Sequence, residues 1–274
     1  MEKNFSSQFA GFSDSTSEEL HAIEGIALAR QSKNFDLLRS AKISSAIGTL
    51  ELLPLARVWK SIGLPAVASV CQTVTSAIQS GEPTARVDKG VVHFLRAIEP
   101  GPESDQIDRF LLTFRKSLKS AGVETASAMA ISGAFGEMHD NIWEHSGKPQ
   151  SGLCGYEIYP SRSVAFGVAD SGWGLSGAYA EARPSEPQKL ASQLMTAAVM
   201  NGASRFSETG RGTGFSTLLR ILRKFDASIR VRSDDVSLNL KPNGASAHEA
   251  TLKSQAQLRG FVVCAQINLC HTKS

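Results

Sequence analysis

A carboxylate and a carboxamide lie four residues apart at Glu137 and Asn141, in a segment with helical spacing of apolar residues. Residues four apart project from the same face of a helix. A carboxylate there could orient and deprotonate an attacking water, and an amide oxygen could complete the oxygen shell of Mg²⁺. A solvated helix face is the structural alternative. His139 and His145 fall on different faces of the same helix, so they do not predict a zinc site.

A glycine-containing turn begins at Asp170 and includes Gly172 and Gly174. It follows an apolar segment that reads as a strand, which would place the aspartate at the edge of a pocket floor. The carboxylate could accept a hydrogen bond from an adenine amino group, and the glycines would let the chain turn beneath a flat ring. Turns of the Asp-x-Gly type are also common in ordinary loops.

A second glycine-rich turn comprises Gly210, Arg211, Gly212, Thr213 and Gly214. It precedes a helical apolar pattern, so backbone N–H groups at the helix start could hold a phosphate. The dinucleotide-binding glycine fingerprint does not fit, because the preceding strand is missing. A Walker loop does not fit either, because no Gly-Lys-Ser/Thr follows. A flexible hinge is the alternative interpretation.

Together these motifs resemble, in order and spacing, those of the GHKL superfamily of ATPases, which includes gyrase B, Hsp90, MutL, the histidine-kinase catalytic domain and the anti-sigma serine kinases. Residues 137–146, ending in Glu-His-Ser, look like the N-box of that superfamily. Residues 170–174 look like the G1 box and 210–214 like the G2 box. The resemblance covers residues 103–270 and makes 176–209 the ATP lid, whose closure would be the conformational switch.

The resemblance implies ATP and Mg²⁺ as cofactors and assigns roles to individual residues. Asp170 would bind the adenine, Asn141 would coordinate Mg²⁺, and Glu137 would position the water or the phospho-acceptor. His145 would be a further nucleotide contact. The remaining nucleotide-binding positions would be Gly172, Gly174, Gly210, Arg211, Gly212, Thr213 and Gly214, with Arg205 as a further phosphate-neutralising cation.

The implied fold is the Bergerat fold, an α+β two-layer sandwich with a mixed sheet, helices on one face and nucleotide between helices and lid. The order of predicted elements also favours α+β over a doubly wound parallel sheet. Periodicity predicts helices at 105–121 and 124–145, antiparallel strands at 155–159 and 163–169, and one helix at 188–200 within the lid.

The C-terminal part is predicted to contain one more helix and three strands. The helix spans 214–225, and the strands lie near 228–233, 248–252 and 260–269.

A proline- and glycine-containing stretch at 99–104 is the best candidate for a domain boundary. It would separate an ATP-binding domain, 103–270, from an N-terminal region, 1–100, of mixed structure. That region shows no chemistry and is interpreted as a docking or regulatory module. It contains a predicted helix at 50–59 and an apolar segment of uncertain type at 91–98.

Composition indicates an ordinary soluble, cytoplasmic protein. The chain has 274 residues, 42% of them hydrophobic, and a formal charge of +3. No dense cluster of Lys and Arg predicts nucleic-acid binding, no apolar run is long enough to cross a bilayer, and the polar start does not resemble a signal peptide. The four cysteines form no C-x-x-C pair and are predicted to be free, mostly buried thiols.

Two functions follow from the motifs. The first is a Mg·ATP-binding protein that hydrolyses ATP slowly or phosphorylates a protein partner in bacterial-type signalling, with homodimerisation as a further expectation. The second is a non-catalytic interaction module gated by nucleotide. An orthodox sensor kinase is not predicted, because His93, the candidate phospho-acceptor, lacks the acidic neighbour usual beside that histidine.

Overall fold

The computed structural model describes residues 12, 16–24, 43, 45–59, 75–76, 78–79, 83–85, 90–96, 105–160, 163–200, 218, 225–243 and 247–269. Within them the helices are α1 (Ala46–Trp59), α2 (Asp105–Ser120), α3 (Thr125–His145), α4 (Gly174–Ala182) and α5 (Ala191–Met200). The strands are β1 (Thr84–Ala85), β2 (Val91–Arg96), β3 (Leu153–Tyr159), β4 (Ser163–Asp170), β5 (Asp226–Asn243) and β6 (Ala247–Asn268). Residues 16–24 are also helical.

Helices α2 and α3 form where the apolar spacing predicts them. Helix α2 has Asp105 and Asp108 in its first turn and Lys119 in its last, the arrangement that the helix dipole favours. Helix α3 is capped by Glu124, whose carboxylate accepts hydrogen bonds from two backbone N–H groups of the first turn. The predicted core stripe of α3 is buried, and it comprises Ile131, Ala134, Phe135, Met138 and Ile142.

The six strands form one sheet in the order β1-β2-β3-β4-β6-β5. The predicted antiparallel pair is confirmed as the β3–β4 hairpin. Every pairing in the described sheet is antiparallel, so the expectation of a mixed sheet is wrong for this part of the chain. The apolar segment at 91–98 contains β2, which pairs with β3 over six residues. The sheet therefore includes strands from both sides of the stretch 99–104.

Two long strands replace the three short ones predicted near the C-terminus. Strands β5 and β6 have 18 and 22 residues and pair along nearly their whole length, with a bulge between Ser233 and Val236. The buried side chains of Val236, Leu238 and Leu240 alternate with the polar residues Ser237 and Asn239, which are buried as well. Of the predicted helix 214–225, residue 218 is helical and Phe225 lies just before β5; residues 214–217 and 219–224 lie outside the described residues.

Both faces of the sheet are covered. On β4, Phe166 and Val168 belong to a core shared with α2, α3 and α5, whereas Ala165 and Ala169 belong to a second core shared with α1. This alternation gives three layers, helices on sheet on helices. The two-layer prediction accounts only for the first face; residues of the N-terminal region cover the second.

The cysteine prediction is confirmed for the two described cysteines. Cys154 and Cys264 are free and buried, and burial raises the pKa of both thiols. Cys71 and Cys270 lie outside the described residues. Among the described helices, none is both long and apolar enough to cross a membrane.

Candidate functional site

Helix α3 brings Asn141 and His145 to one cavity. The two residues are four apart, one helical turn, and both are partly exposed beside the buried stripe. They line a cavity of about 420 Å³, within the range of sites that bind small molecules. The His145 Nε2 atom lies 3.9 Å from Glu144 Oε2, but Glu144 itself is exposed and is not among the described lining residues.

Strand β4 brings Asp170 to the same cavity. This carboxylate is only 3% exposed and ends the strand, as its position after an apolar segment predicts. Its Oδ1 atom accepts a hydrogen bond of 2.8 Å from the Gly172 N–H, and the next N–H, of Ser171, donates to Ser151 Oγ at 2.8 Å. The first bond restrains the carboxylate beside the cavity, and the second holds the backbone that follows it.

The end of α3 is held against the 170–174 turn. The Trp173 N–H donates to the Ser146 carbonyl at 2.8 Å, and the indole covers Gly147, where φ is +65°. A Cβ atom on Gly147 would lie 2.1 Å from the ring, so only glycine allows this packing. The contact sets the position of Asn141 and His145 relative to Asp170.

The glycines of the 170–174 turn are required mainly by contacts within the protein. A Cβ atom on Gly172 would lie 2.0 Å from the Ser146 carbonyl oxygen, and Gly172 is not among the described lining residues. Gly174 does line the cavity, but its φ of +69° and its closeness to Ser233 and Gly260 also exclude a side chain. Gly172 therefore leaves room for the backbone of Ser146, and not for a ligand.

Helix α4 starts at this turn and is anchored to the bulge of β5. The Leu175 N–H donates to Ser233 Oγ at 2.9 Å, and the Ser176 N–H donates to Asp234 Oδ2 at 3.1 Å. These partners satisfy two of the amides that a helix start otherwise presents. The start of α4 is thus occupied by the protein's own acceptors.

The segment from α4 to α5 closes the cavity with a polar cluster that the sequence analysis did not single out. Tyr179, Arg183, Glu186 and Lys189 all line the cavity. Their spacing of four, three and three residues would suit one face of a helix, but α4 ends at Ala182, between the first two. The sequence carries only a weak signal for them, a mixture of opposite charges within the predicted lid.

Apolar side chains form most of the remaining described wall. They come from α3, β4, α4, α5 and β6 and include Met138, Ile142, Val168, Leu175, Leu194, Phe261 and Val263. A cavity with apolar walls and a few fixed polar groups suits a largely flat, apolar group that carries polar edges.

Several predicted site residues lie elsewhere. Glu137 is exposed and is not among the described lining residues, although it lies one turn from Asn141. His139 is buried, with its Nδ1 atom 2.9 Å from Asp140 Oδ1. The predicted phosphate loop and lid arginine lie outside the described residues: Arg205, Gly210, Arg211, Gly212, Thr213 and Gly214.

Comparison with known proteins does not place the chain in a family. No protein-family model and no curated protein sequence matches it. The resemblance to GHKL ATPases therefore depends on the three motifs, and any function must be argued from the cavity that two of them border.

Proposed function

We propose that the chain binds Mg·ATP in this cavity, in the manner of a GHKL ATPase with a Bergerat fold. The observation that carries the proposal is the convergence of Asp170, Asn141 and His145, from separate motifs, on one cavity with apolar walls. Two arbitrary helix and turn motifs have no reason to border the same cavity, whereas a nucleotide site requires it.

Each residue has a role that its surroundings suit. Asp170 would accept a hydrogen bond from the adenine amino group, because its carboxylate is buried at the cavity and held by the Gly172 N–H. The apolar wall would cover the ring faces. His145 would contact the nucleotide from α3, and the backbone of residues 210–214 would hold phosphate oxygens.

The described residues fit Mg²⁺ as an ion held jointly by protein, phosphate and water. No group of three His, Cys, Asp or Glu side chains among them could hold a metal alone. Mg²⁺ typically takes one or two protein ligands and completes its shell with waters and phosphate oxygens. Asn141 would supply an amide oxygen from the cavity wall, and the ion would neutralise phosphate charge.

Two functions are compatible with ATP binding, and they differ in what happens to the bound ATP. In the first, Glu137 positions water or a phospho-acceptor, and the protein hydrolyses ATP slowly or phosphorylates a protein partner in bacterial-type signalling. In the second, nucleotide only closes the lid, 176–209, and the closed form recruits a partner. The exposure of Glu137, outside the described cavity lining, favours the second.

The binding proposal is tested by isothermal titration with a non-hydrolysable ATP analogue, with and without Mg²⁺. We expect magnesium-dependent binding that Asp170→Asn weakens at least tenfold, since one hydrogen bond to a charged group contributes about 1.5–3 kcal/mol. Asp108→Asn, an exposed aspartate on α2, is the control and should bind as the wild type. Absence of binding at millimolar nucleotide would refute the proposal.

Glu137→Gln separates the two functions. If the wild type hydrolyses or transfers phosphate and Glu137→Gln does not, while both bind the analogue equally, the first function holds. If the wild type binds ATP but shows neither activity with candidate partners, the gated module is the better account.

A further inference from the structure

One carboxylate in the segment between α4 and α5 is surrounded by donors. The Tyr179 hydroxyl donates a hydrogen bond to the Glu186 carboxylate. The Arg183 Nε atom lies 3.5 Å from Glu186 Oε1, and the Lys189 Nζ atom lies 3.9 Å from Glu186 Oε2. All four residues line the cavity, so the donors converge on a point where a ligand could reach them.

The two cations also have contacts that do not involve the carboxylate. The Arg183 guanidinium carbon and Lys189 Nζ lie 5.1 Å and 4.8 Å from the centre of the buried Tyr179 ring, within cation–π range. Arg183 also caps the C-terminus of α4, where the helix dipole favours a cation. Removal of the carboxylate would leave two positioned cations and a hydroxyl.

We infer that Glu186 occupies the subsite for an anionic group of the ligand. A phosphate of the ligand displaces the Glu186 carboxylate and binds Arg183 and Lys189 in its place. The inference rests on the proposed function and adds to it an inhibitory contact, because the protein's own carboxylate competes with the ligand. Without the Glu186 carboxylate, the described lining residues would have two cations, Arg183 and Lys189, after the end of α4. The carboxylate of Asp170 lies near the start of that helix.

The position of the cations along α4 suits a ligand with two different ends. Nine residues give the helix an axial length of about 13.5 Å. Asp170 lies near its start and Arg183 at its end. At the start, the Leu175 and Ser176 N–H groups already bond to Ser233 and Asp234. The Arg and Lys side chains among the described lining residues, Arg183 and Lys189, follow the other end of the helix, and their charges are what would attract an anion there.

The contact is suited to displacement because it is partly solvated. The side chains of Arg183, Glu186 and Lys189 are 32%, 48% and 50% exposed. Ion pairs this exposed contribute little stability. A phosphate group offers more charge and more acceptor oxygens than one carboxylate, and therefore forms the stronger hydrogen bonds with the same donors.

The test is Glu186→Gln, which removes the charge and keeps the size of the side chain. Titrations would use the ATP analogue, inorganic tripolyphosphate and adenosine. We expect affinity for the first two to rise about twofold to fivefold, the effect of one exposed ion pair, and affinity for adenosine to stay unchanged. Glu181→Gln, at an exposed glutamate of α4 outside the described lining, is the matched control. Lys189→Gln should lower affinity for the two phosphate ligands only.

The three ligands separate failure of this inference from failure of the proposed function. If the ATP analogue binds the wild type and Glu186→Gln binds it no more tightly, the inference is overturned while the proposed function stands. If tripolyphosphate binds more tightly to Glu186→Gln but the nucleotide does not bind at all, the anion subsite stands without ATP. If neither binds either protein, both are wrong.

Discussion

Gly172 has no side chain because the backbone of another element occupies the space. Its added Cβ would lie 2.0 Å from the Ser146 carbonyl oxygen, a group that cannot rotate away. We expect Gly172→Ala to lower the free energy of unfolding by about 1–3 kcal/mol, the cost of overpacking. Gly133 is the matched control: it lies in α3, nothing comes within 4 Å of its added Cβ, and Gly133→Ala should stabilise by about 0.5–1 kcal/mol.

Urea denaturation of both variants measures this difference. Equal effects at the two positions would mean that the Gly172 contact relaxes freely. In that case the glycine would serve only the ligand, as the motif alone suggests.

The residues of the site could be predicted where spacing on one helix decides their direction. Asn141 and His145 share a face beside a buried stripe, and both line the cavity. Glu137 has the same spacing from Asn141 but is exposed. The elements packed against a helix decide how far a cavity extends along it. The spacing of residues within α3 therefore could not show that the cavity reaches Asn141 but not Glu137. The Arg183 and Lys189 positions depend on where α4 ends, which was not predicted.

At the scale of elements, the cap of α3 gives a pH-dependent prediction. The Ala126 and Ser127 N–H groups donate to Glu124 at 3.0 and 3.1 Å and lower the pKa of this carboxyl below its ordinary value of 4.5. A group with a lowered pKa in the folded state adds stability above its ordinary pKa. That stability is lost as pH falls through the lowered value. We therefore expect the wild type to have a higher Tm than Glu124→Gln at neutral pH, and this advantage to shrink below about pH 4.5.

Thermal unfolding of both proteins between pH 7 and pH 3 measures the advantage. Glu181→Gln, the same change at an exposed position of α4, provides the control for the loss of one surface charge. A Tm difference that stays constant over this range would show that the carboxylate charge contributes nothing to the cap.

The elements that could be predicted are those stabilised by their own apolar pattern. Helices α2 and α3 and the β3–β4 hairpin are of this kind. Helix α4 is rich in Gly, Ala and Ser, and its start depends on Ser233 and Asp234, each 58 positions away from the residue it anchors. In strand β5, the alternation of Val236, Leu238 and Leu240 is a signal for a strand. The polar residues before and between them hid the continuity of β5, so only a short strand near 228–233 was predicted.

At the scale of the whole molecule, a buried charge network joins Glu24 and Glu51, two described residues of the N-terminal region, to the sheet. Arg230 on β5 is fully buried, with Nε 2.9 Å from Glu51 Oε1 of α1 and a second ion pair to Glu24. Burial alone would lower the pKa of Arg230, but the two glutamates outweigh it and raise the pKa. The Arg230–Glu51 contact spans 179 positions of sequence. No local sequence pattern could therefore show that the N-terminal region, 1–100, and the domain 103–270 share a core.

This network should make the N-terminal region and the sheet unfold together. Glu51→Gln leaves a buried guanidinium with one charged partner fewer, and breaking a buried pair costs about 3–5 kcal/mol. The matched control is Glu249→Gln. Glu249 Oε2 also lies 2.9 Å from a cation, Lys241 Nζ, but this pair is partly exposed and contributes about 0–1 kcal/mol.

Urea denaturation followed by circular dichroism and by tryptophan fluorescence would compare these variants. We expect the two signals to coincide, and Glu51→Gln to shift both by several times the shift of Glu249→Gln. Separate transitions, or equal shifts in the two variants, would contradict a shared core. The N-terminal region would then be the detachable docking module that the stretch 99–104 suggests. Coincident transitions would instead mean that the N-terminal region and β5, whose Ser233 and Asp234 anchor the start of α4, belong to one cooperative unit.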